Sequence, residues 1–278
     1  QVNLGISLAA GEYIAIVETD DYIAATMFED LYAIARRKDV EVVKADFHRF
    51  TDAAGARSCS YGRIASRRSL YRRVIDPSKH FAVFDTFGFS WAGLIKRSFL
   101  TEHAIRHHES PGASFQDNGL FVLTYAYARR VCFVDTPYYY LRRDNPDAST
   151  NSLRGMAMLD EYAYIERRLK SDPAVYRRFR YVFAVLRMKN YEFALKRVPK
   201  DRQIEFVERF SGEFRALDAA GELKKRLFGK SWKSLRLLMD APEDYYVSHC
   251  FQPAAEFPAS DAERGVYLRR LGRLIEQK

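Results

Sequence analysis

Tyr13-Ile14-Ala15-Ile16-Val17 is a nearly continuous apolar run of strand length, and it ends in Glu18-Thr19-Asp20-Asp21, three carboxylates within four residues. An apolar run without polar alternation suits an interior strand of a sheet covered on both faces. Acids just past such a strand lie where open α/β sheets place their ligands, beyond the strand's carboxyl end. An interior strand needs neighbours, and little chain precedes this one. Residues 1–11 read as the tail of a helix, with Leu4, Leu8 and Ala9 at helical spacing and Gly11 as its stop. The expectation is therefore that an N-terminal portion of the parent protein precedes Gln1.

The pattern after the acids sets the architecture. A helix is expected from Met27 to Arg37, opened by a capping box Thr26-Met27-Phe28-Glu29 and buried through Met27, Leu31, Ile34 and Ala35. Val40 to Phe47 reads as a strand. Thr51 to Arg68 reads as a loop or loose hairpin, and Ser110-Pro111-Gly112-Ala113-Ser114 as a loop. A helix of about Asn118 to Arg130 follows Asp117. Two strands are then expected, Val131 to Asp135 and Tyr138 to Arg142, split by Thr136-Pro137, with a turn at Asn145-Pro146-Asp147. From Ser152 onward only helical spacing remains, to about Met239. Strand–helix alternation giving way to helix alone predicts an α/β domain over 1–152 and an α-helical region over 153–278.

Composition narrows the function classes. Twenty Phe, 18 Tyr and 2 Trp supply ample surface for a core. Lys+Arg 45 against Asp+Glu 36 leaves a net charge of +9, which favours anionic partners. The basic doublets Arg36-Arg37, Arg67-Arg68, Arg72-Arg73 and Arg177-Arg178 are dispersed, so nucleic acid is not expected. Cys59, Cys132 and Cys250 form no CxxC pair, which argues against a disulfide framework or structural zinc and fits a reducing compartment. No run approaches the ~20 apolar residues of a membrane span. The expected location is cytoplasmic, or peripheral at the inner face of the cell membrane.

Two sites could carry chemistry. At Glu18-Thr19-Asp20-Asp21, clustered carboxylates call for a counter-charge, and a hard divalent ion shared with substrate phosphates supplies one; equally, Asp20 and Asp21 could cap a turn. At Ser114-Phe115-Gln116-Asp117-Asn118-Gly119, Asp117 sits at a helix start, where capping alone would account for it. The helix N-terminus is expected to hold its pKa low and the group ionised, the state a general base needs. Arg142 ends a strand on one face with Tyr138 and Tyr140, Tyr139 opposite, and could take a pyrophosphate oxygen or be a solvated surface charge. His103 and His107 have the spacing of a helix-borne metal pair, but no HExxH, Walker loop, GxGxxG or Gly-x-Ser-x-Gly elbow is present. Lys224-Lys225-Arg226 and Lys230 near Trp232 read as a solvated helix face or an anionic-lipid contact.

Taken in order, these pieces resemble family-two glycosyltransferases with a GT-A fold, a Rossmann-like mixed sheet. The matching pieces are Asn3-Leu4-Gly5-Ile6-Ser7 with Gly11-Glu12-Tyr13-Ile14, Glu18-Thr19-Asp20-Asp21-Tyr22-Ile23, and Met27-Phe28-Glu29 with Leu31-Tyr32. Further on come Trp91 with Ile95-Lys96-Arg97-Ser98-Phe99-Leu100, Phe115-Gln116-Asp117, and Pro137, Tyr139, Arg142 and Ser149. The match spans about residues 1–152, a partial GT-A domain followed by the helical region. The resemblance implies an inverting, metal-assisted transfer from a nucleotide-sugar donor to a hydroxyl of a glycan, lipid-linked or polymer acceptor, as in cell-surface polysaccharide biosynthesis. It gives Asp20, in the place of the DxD motif, to Mn²⁺ or Mg²⁺, and Asp117 the role of catalytic base. Glu18, Asp21, Trp91, Gln116 and Arg142 become substrate contacts, Glu18 facing the ribose and Arg142 the diphosphate. Glu at the first acidic position and Gln116 before Asp117 depart from the family pattern. The strands that cradle the nucleotide base should precede residue 1, so this chain alone is expected to bind sugar nucleotide poorly and to lack activity by itself. The alternatives are a non-catalytic, partner-binding module and a basic protein on an anionic membrane surface; a second copy of the chain is a candidate partner for the helical region.

Overall fold

A computed structural model describes residues 1–53, 56–112, 114–146 and 153–250. The chain divides into two compact units, one of residues 1–148 with 164–179, the other of 149–163 with 180–278. The first unit thus takes in sixteen-odd residues of the helical region. The boundary expected near 152, Asp147 and Ser149 fall outside the described residues.

The first unit is built on a seven-stranded mixed sheet: β1 (Tyr13–Ile14), β2 (Tyr22–Ile23), β3 (Val42–Ala53), β4 (Ala56–Gly62), β5 (Val74–Ile75), β6 (Gly93–Lys96) and β7 (Val131–Arg142). The order is β1-β6-β3-β7-β2, with β4 paired to β3 and β5 to β7. Only β3 and β7 run parallel; the other pairs are antiparallel. Helices α1 (Val2–Leu8), α2 (Met27–Lys38), α3 (Arg97–Glu102) and α4 (Gln116–Tyr127) accompany it. This is the α/β architecture that the sequence pattern predicts, with the mixed sheet that the resemblance implies, followed by helices.

The spine of the sheet is β3, buried without interruption from Val42 to Phe47. Such a strand must satisfy its polar residues internally. Buried Asp46 accepts hydrogen bonds from the Tyr61 and Tyr71 hydroxyls and from the Ile64 N–H. The loose hairpin expected after Thr51 is the regular pair β3–β4, registered from Phe47↔Gly62 to Ala53↔Ala56. Helix α2 covers the sheet through Met27, Leu31 and Ala35, all fully buried against Val43, Ala45, Phe47 and Leu94. Acidic Glu29 and Asp30 open it and Arg36, Arg37 and Lys38 close it, complementing the helix dipole. The capping box does not form: Thr26 already has helical angles and makes no side-chain cap bond.

Two strand expectations are corrected. The apolar run 13–17 is not one interior strand. Only Tyr13 and Ile14 pair, with β6 at one end of the sheet order, and the chain re-enters the sheet as β2 beside β7 at the other end. Adjacent strands lie ~4.8 Å apart, so residues 15–21, which can span ~23 Å when extended, have just the length to cross the intervening strand ends. Of the run, Tyr13 and Ala15 pack on the core, while Val17 is exposed. Second, Pro137 does not split β7. The register slips between Ala45↔Val134, Asp46↔Pro137 and Phe47↔Tyr139, a bulge that tolerates the missing N–H and turns Tyr139 fully into the core.

The second unit is helical, drawing on α5 (Ala157–Lys170) and α6 (Pro173–Leu195), with α7 (Gln203–Ala219), α8 (Lys225–Phe228), α9 (Ser231–Asp240) and α10 (Pro242–His249). The last helix lies beyond the expected limit near Met239. Its core is aromatic: Tyr162, Tyr191, Phe206, Phe210, Phe214 and Tyr245 are buried, and Tyr191, Phe206, Phe210 and Tyr245 meet edge to face.

Candidate functional site

All the residues that the sequence singles out for chemistry belong to the first unit. The crossing segment ends in a tight turn closed by the Asp21 N–H on the Glu18 carbonyl, 3.2 Å. Below it stands Tyr139 of β7. Its hydroxyl accepts the Glu18 N–H at 3.1 Å and donates to Asp21 Oδ2 at 2.7 Å. Asp21 Oδ1 takes the Arg142 N–H at 2.7 Å, and Asp20 Oδ2 takes the Asn145 side-chain amide at 2.7 Å. The acids are thus fastened to the end of β7 and the segment after it. The half-exposed Arg142 guanidinium pairs with Asp144 at 2.8 Å, and lies near enough to Asp52 and Asp20 for their charges to act on it.

Trp91 lies in the core, 5% exposed, stacked on Tyr139 with ring centres 4.5 Å apart and on Phe89 at 4.1 Å. Its ring therefore supports the tyrosine beneath the acids. The segment carrying it is held by Lys44 of β3, whose buried Nζ donates to the carbonyls of Phe89, Ser90 and Trp91 at 3.1, 2.9 and 2.7 Å. Gly93 leaves room for this: a Cβ there would lie 2.2 Å from the Val43 carbonyl oxygen and 2.7 Å from Lys44 Cδ. Burial lowers the Lys44 ammonium to about 7. Ser90 in turn hydrogen-bonds the Glu18 carboxyl.

Asp117 sits in the first turn of α4, which begins at Gln116, two residues earlier than the spacing predicts. Phe115 precedes it in the left-handed region, φ 70°, a conformation that costs a non-glycine residue energy and is often kept at functional sites. Gln116 closes the preceding loop on itself: Oε1 accepts the Ser114 N–H at 2.7 Å, and Nε2 donates to Ser110 Oγ at 2.9 Å and the Gly112 carbonyl at 2.8 Å. Both its polar atoms are engaged in the loop that delivers Asp117. Asp117 Oδ1 receives the Asn118 side-chain amide at 3.2 Å.

The electrostatics join the two sites. Burial pushes the Asp117 carboxyl up to about 6, local N–H donors oppose the shift, and the Glu18 charge adds to it. The expectation that the helix terminus would hold this pKa low is overturned: desolvation outweighs the donors of the first turn. Glu18 is likewise raised, first by desolvation, then by Asp21 and Asp20, with the Ser90 hydroxyl opposing. Asp21 is raised by desolvation, against its bonds from Arg142 and Tyr139. Four carboxylates thus crowd one region, and a cationic ligand would relieve their repulsion. Among the described residues no group of three or more His, Cys, Asp or Glu side chains converges to cage an ion. The donor set fits instead a hard divalent cation held by one or two carboxylates and completed by ligand phosphates, as Mg²⁺ commonly is.

Ser90, Lys44 and Asn145 are site residues to which the sequence pattern gives no role, and Tyr139, although a position of the family match, was given none either. The charge of Lys44 within the apolar stretch of β3, two residues before Asp46, was the available signal; the others depend on pairings between distant segments.

No family model matches the chain. Among curated proteins, the glycosyltransferase GlyG of Streptococcus pneumoniae serotype 4 is 28% identical over 148 residues, 51% of this chain and 47% of GlyG. The putative glycosyltransferase EpsH of Bacillus subtilis strain 168 is 27% identical over 152 residues, 50% of this chain and 40% of EpsH. The uncharacterized glycosyltransferase EpsJ of the same strain is 26% identical over 149 residues, 53% and 42%. The chain is a relative of the glycosyltransferases. It matches less than half the length of each of these curated glycosyltransferases. Among solved structures, S. aureus TarS 1–349 in complex with UDP-GlcNAc aligns with a TM-score of 0.43 and 14% identity, over 73% of this chain and 62% of that one. No helix among the described residues of this glycosyltransferase relative is long and apolar enough to cross a membrane.

Proposed function

We propose that the first unit is the acid-bearing part of an inverting glycosyltransferase, moving a sugar from a nucleotide-sugar donor to a hydroxyl of a glycan, lipid-linked or polymer acceptor. The observation that carries this reading is the action of the Glu18 charge on Asp117, which makes the acidic turn and the start of α4 one electrostatic neighbourhood. The kinship with curated glycosyltransferases supports the reaction class.

In this reading Asp117, ionised above about pH 6, takes the proton of the acceptor hydroxyl. The freed oxygen attacks the anomeric carbon while the bond to the nucleoside diphosphate breaks on the opposite face. Asp20, backed by Asn145, would hold Mn²⁺ or Mg²⁺, whose chemistry is to neutralise diphosphate charge. Arg142 at the same sheet end adds positive charge for the leaving group. Glu18, pinned by Ser90 and by Tyr139 through its N–H, faces the donor's ribose. Trp91 and Gln116 act one step removed, through Tyr139 and through the loop before Asp117.

The test is turnover and donor titration with a panel of nucleotide sugars and Mn²⁺, in the full-length protein, for wild type and Asp117→Asn. The expected result is intact donor affinity and lost transfer in the variant. Undiminished transfer by Asp117→Asn would remove the base from the scheme, and failure of every nucleotide sugar to bind the full-length protein would remove the donor class.

A further inference from the structure

The second unit carries a charge pattern that glycosyl transfer does not use. Lys224-Lys225-Arg226-Leu227-Phe228-Gly229-Lys230-Ser231-Trp232-Lys233 holds five cations and no acid in ten residues. The structure folds this stretch into α8, a turn at Gly229 in the positive-φ region (φ 55°), and the start of α9. Phe228 is buried and meets the Trp232 ring at 5.8 Å, which fastens the turn from inside. Lys224, Lys225, Arg226, Lys230 and Lys233 all stay exposed.

None of these five cations forms an ion pair among the described residues, whereas Arg236, just beyond, pairs with both Asp218 and Asp240. Among the described residues, the unit therefore neutralises a cation where acids stand beside it and leaves this tip uncompensated. Lys224 Nζ lies 4.9 Å from the centre of the Tyr181 ring, beside Arg180 at 4.8 Å. Tyr181 sits below the usual phenol range through Arg180 first and Lys224 after it, which reports a positive local potential. Leu227, 40% exposed, stands between Arg226 and Phe228 in the middle of the charges.

We propose that the tip formed by residues 224–233 docks on an anionic lipid bilayer. Unpaired Lys and Arg side chains held at a surface are drawn to anionic headgroups, and a lone apolar residue among them enters the headgroup boundary. A phosphate backbone would use the cations equally well but would gain nothing from Leu227, so the mixed character selects the lipid surface. Each cation is worth about a fivefold change in partition at low salt, and the attraction fades as the Debye length shrinks from ~10 Å at 0.1 M to ~3 Å at 1 M salt. The surface stands independently of the chemistry in the first unit.

The experiment is co-sedimentation of the 278-residue chain with mixed phosphatidylcholine–phosphatidylglycerol vesicles and with phosphatidylcholine alone. Binding to the mixed vesicles only, lost by more than tenfold as salt rises, is expected. Lys225→Glu with Arg226→Glu and Lys230→Glu should weaken it by at least a hundredfold (about fivefold for each cation removed, compounded), with an unchanged thermal melt. Leu227→Ala, at constant charge, should weaken it severalfold, and binding should shift the emission of half-buried Trp232 but not of buried Trp91. Arg63→Glu with Arg73→Glu, exposed cations of the first unit, should leave binding unchanged. Absence of binding to the mixed vesicles overturns the proposal, as does equal loss in the two charge-reversal variants. Tighter binding to a single-stranded oligonucleotide than to vesicles, insensitive to Leu227→Ala, also overturns it and assigns the tip to nucleic acid.

Discussion

The acidic turn and the start of α4 hold the same kind of side chain under opposite regimes. Asp20 and Asp21 are gripped from outside their own segment, by Asn145, Tyr139 and the Arg142 N–H. Asp117 takes its donors from its own residue and its immediate neighbour Asn118, and burial carries it towards neutrality. The difference separates holding from reacting: a carboxylate with rigid, distant donors keeps its position, while one with few donors in a desolvated setting sits near its titration point at working pH.

The largest effect that would break this contrast is on turnover. If Asp117 is the reacting acid, Asp117→Asn lowers kcat by 10²–10⁴-fold, whereas Asn145→Ala lowers it by no more than about tenfold, since a support for Asp20 and not a reacting group is removed; steady-state kinetics on the full-length protein read both. Next comes pH. Asp117 must be ionised to accept a proton, so kcat/KM should fall about tenfold per unit below about pH 6 and level off above it; a profile flat between 5 and 7 would detach the chemistry from this carboxyl. Tyr139→Phe removes the hydroxyl that serves Glu18 and Asp21 together and should cost about 1–3 kcal/mol of stability, measured by urea unfolding. Smallest is the stability gain from Asp117→Asn. A carboxyl whose folded pKa lies above its unfolded value of 3.8 binds protons more readily when folded, so its contribution to stability grows as pH falls from about 7 towards 4. At pH 7 the variant should therefore be more stable, by up to about 3 kcal/mol, and the gain should shrink towards pH 4 and vanish below it.

What the sequence makes legible follows the range of the interactions involved. Met27, Leu31 and Ala35 recur at helical spacing, and α2 lies within one residue of the expected limits. The hairpin after Thr51 was legible from its glycines and serines. The acidic turn was legible as a cluster, but its supports were not: Trp91 touches Tyr139 across 48 positions of sequence, and nothing local at either residue marks the stack. Pro137 suggested a strand break because a bulge needs a partner strand to define it. The Asp117 pKa was misread because a helix-terminus argument counts nearby donors and cannot count the water excluded by the surrounding fold. Thr26 fits a capping box in composition, yet its backbone already adopts helical angles in place of the extended ones an N-cap needs.

The strap that carries the acids is stitched at both ends to strands far along the chain: Tyr13 opposite Lys96, Tyr22 opposite Tyr140. The hydrogen bond between Tyr139 and Asp21 alone closes 118 residues. Contacts of such separation carry a large loop-closure entropy and tend to form late in folding. The carboxylates therefore converge only once both sheet margins are complete, so the nascent chain carries its reactive acids long before they can meet, and competence arrives as the last act of folding rather than the first.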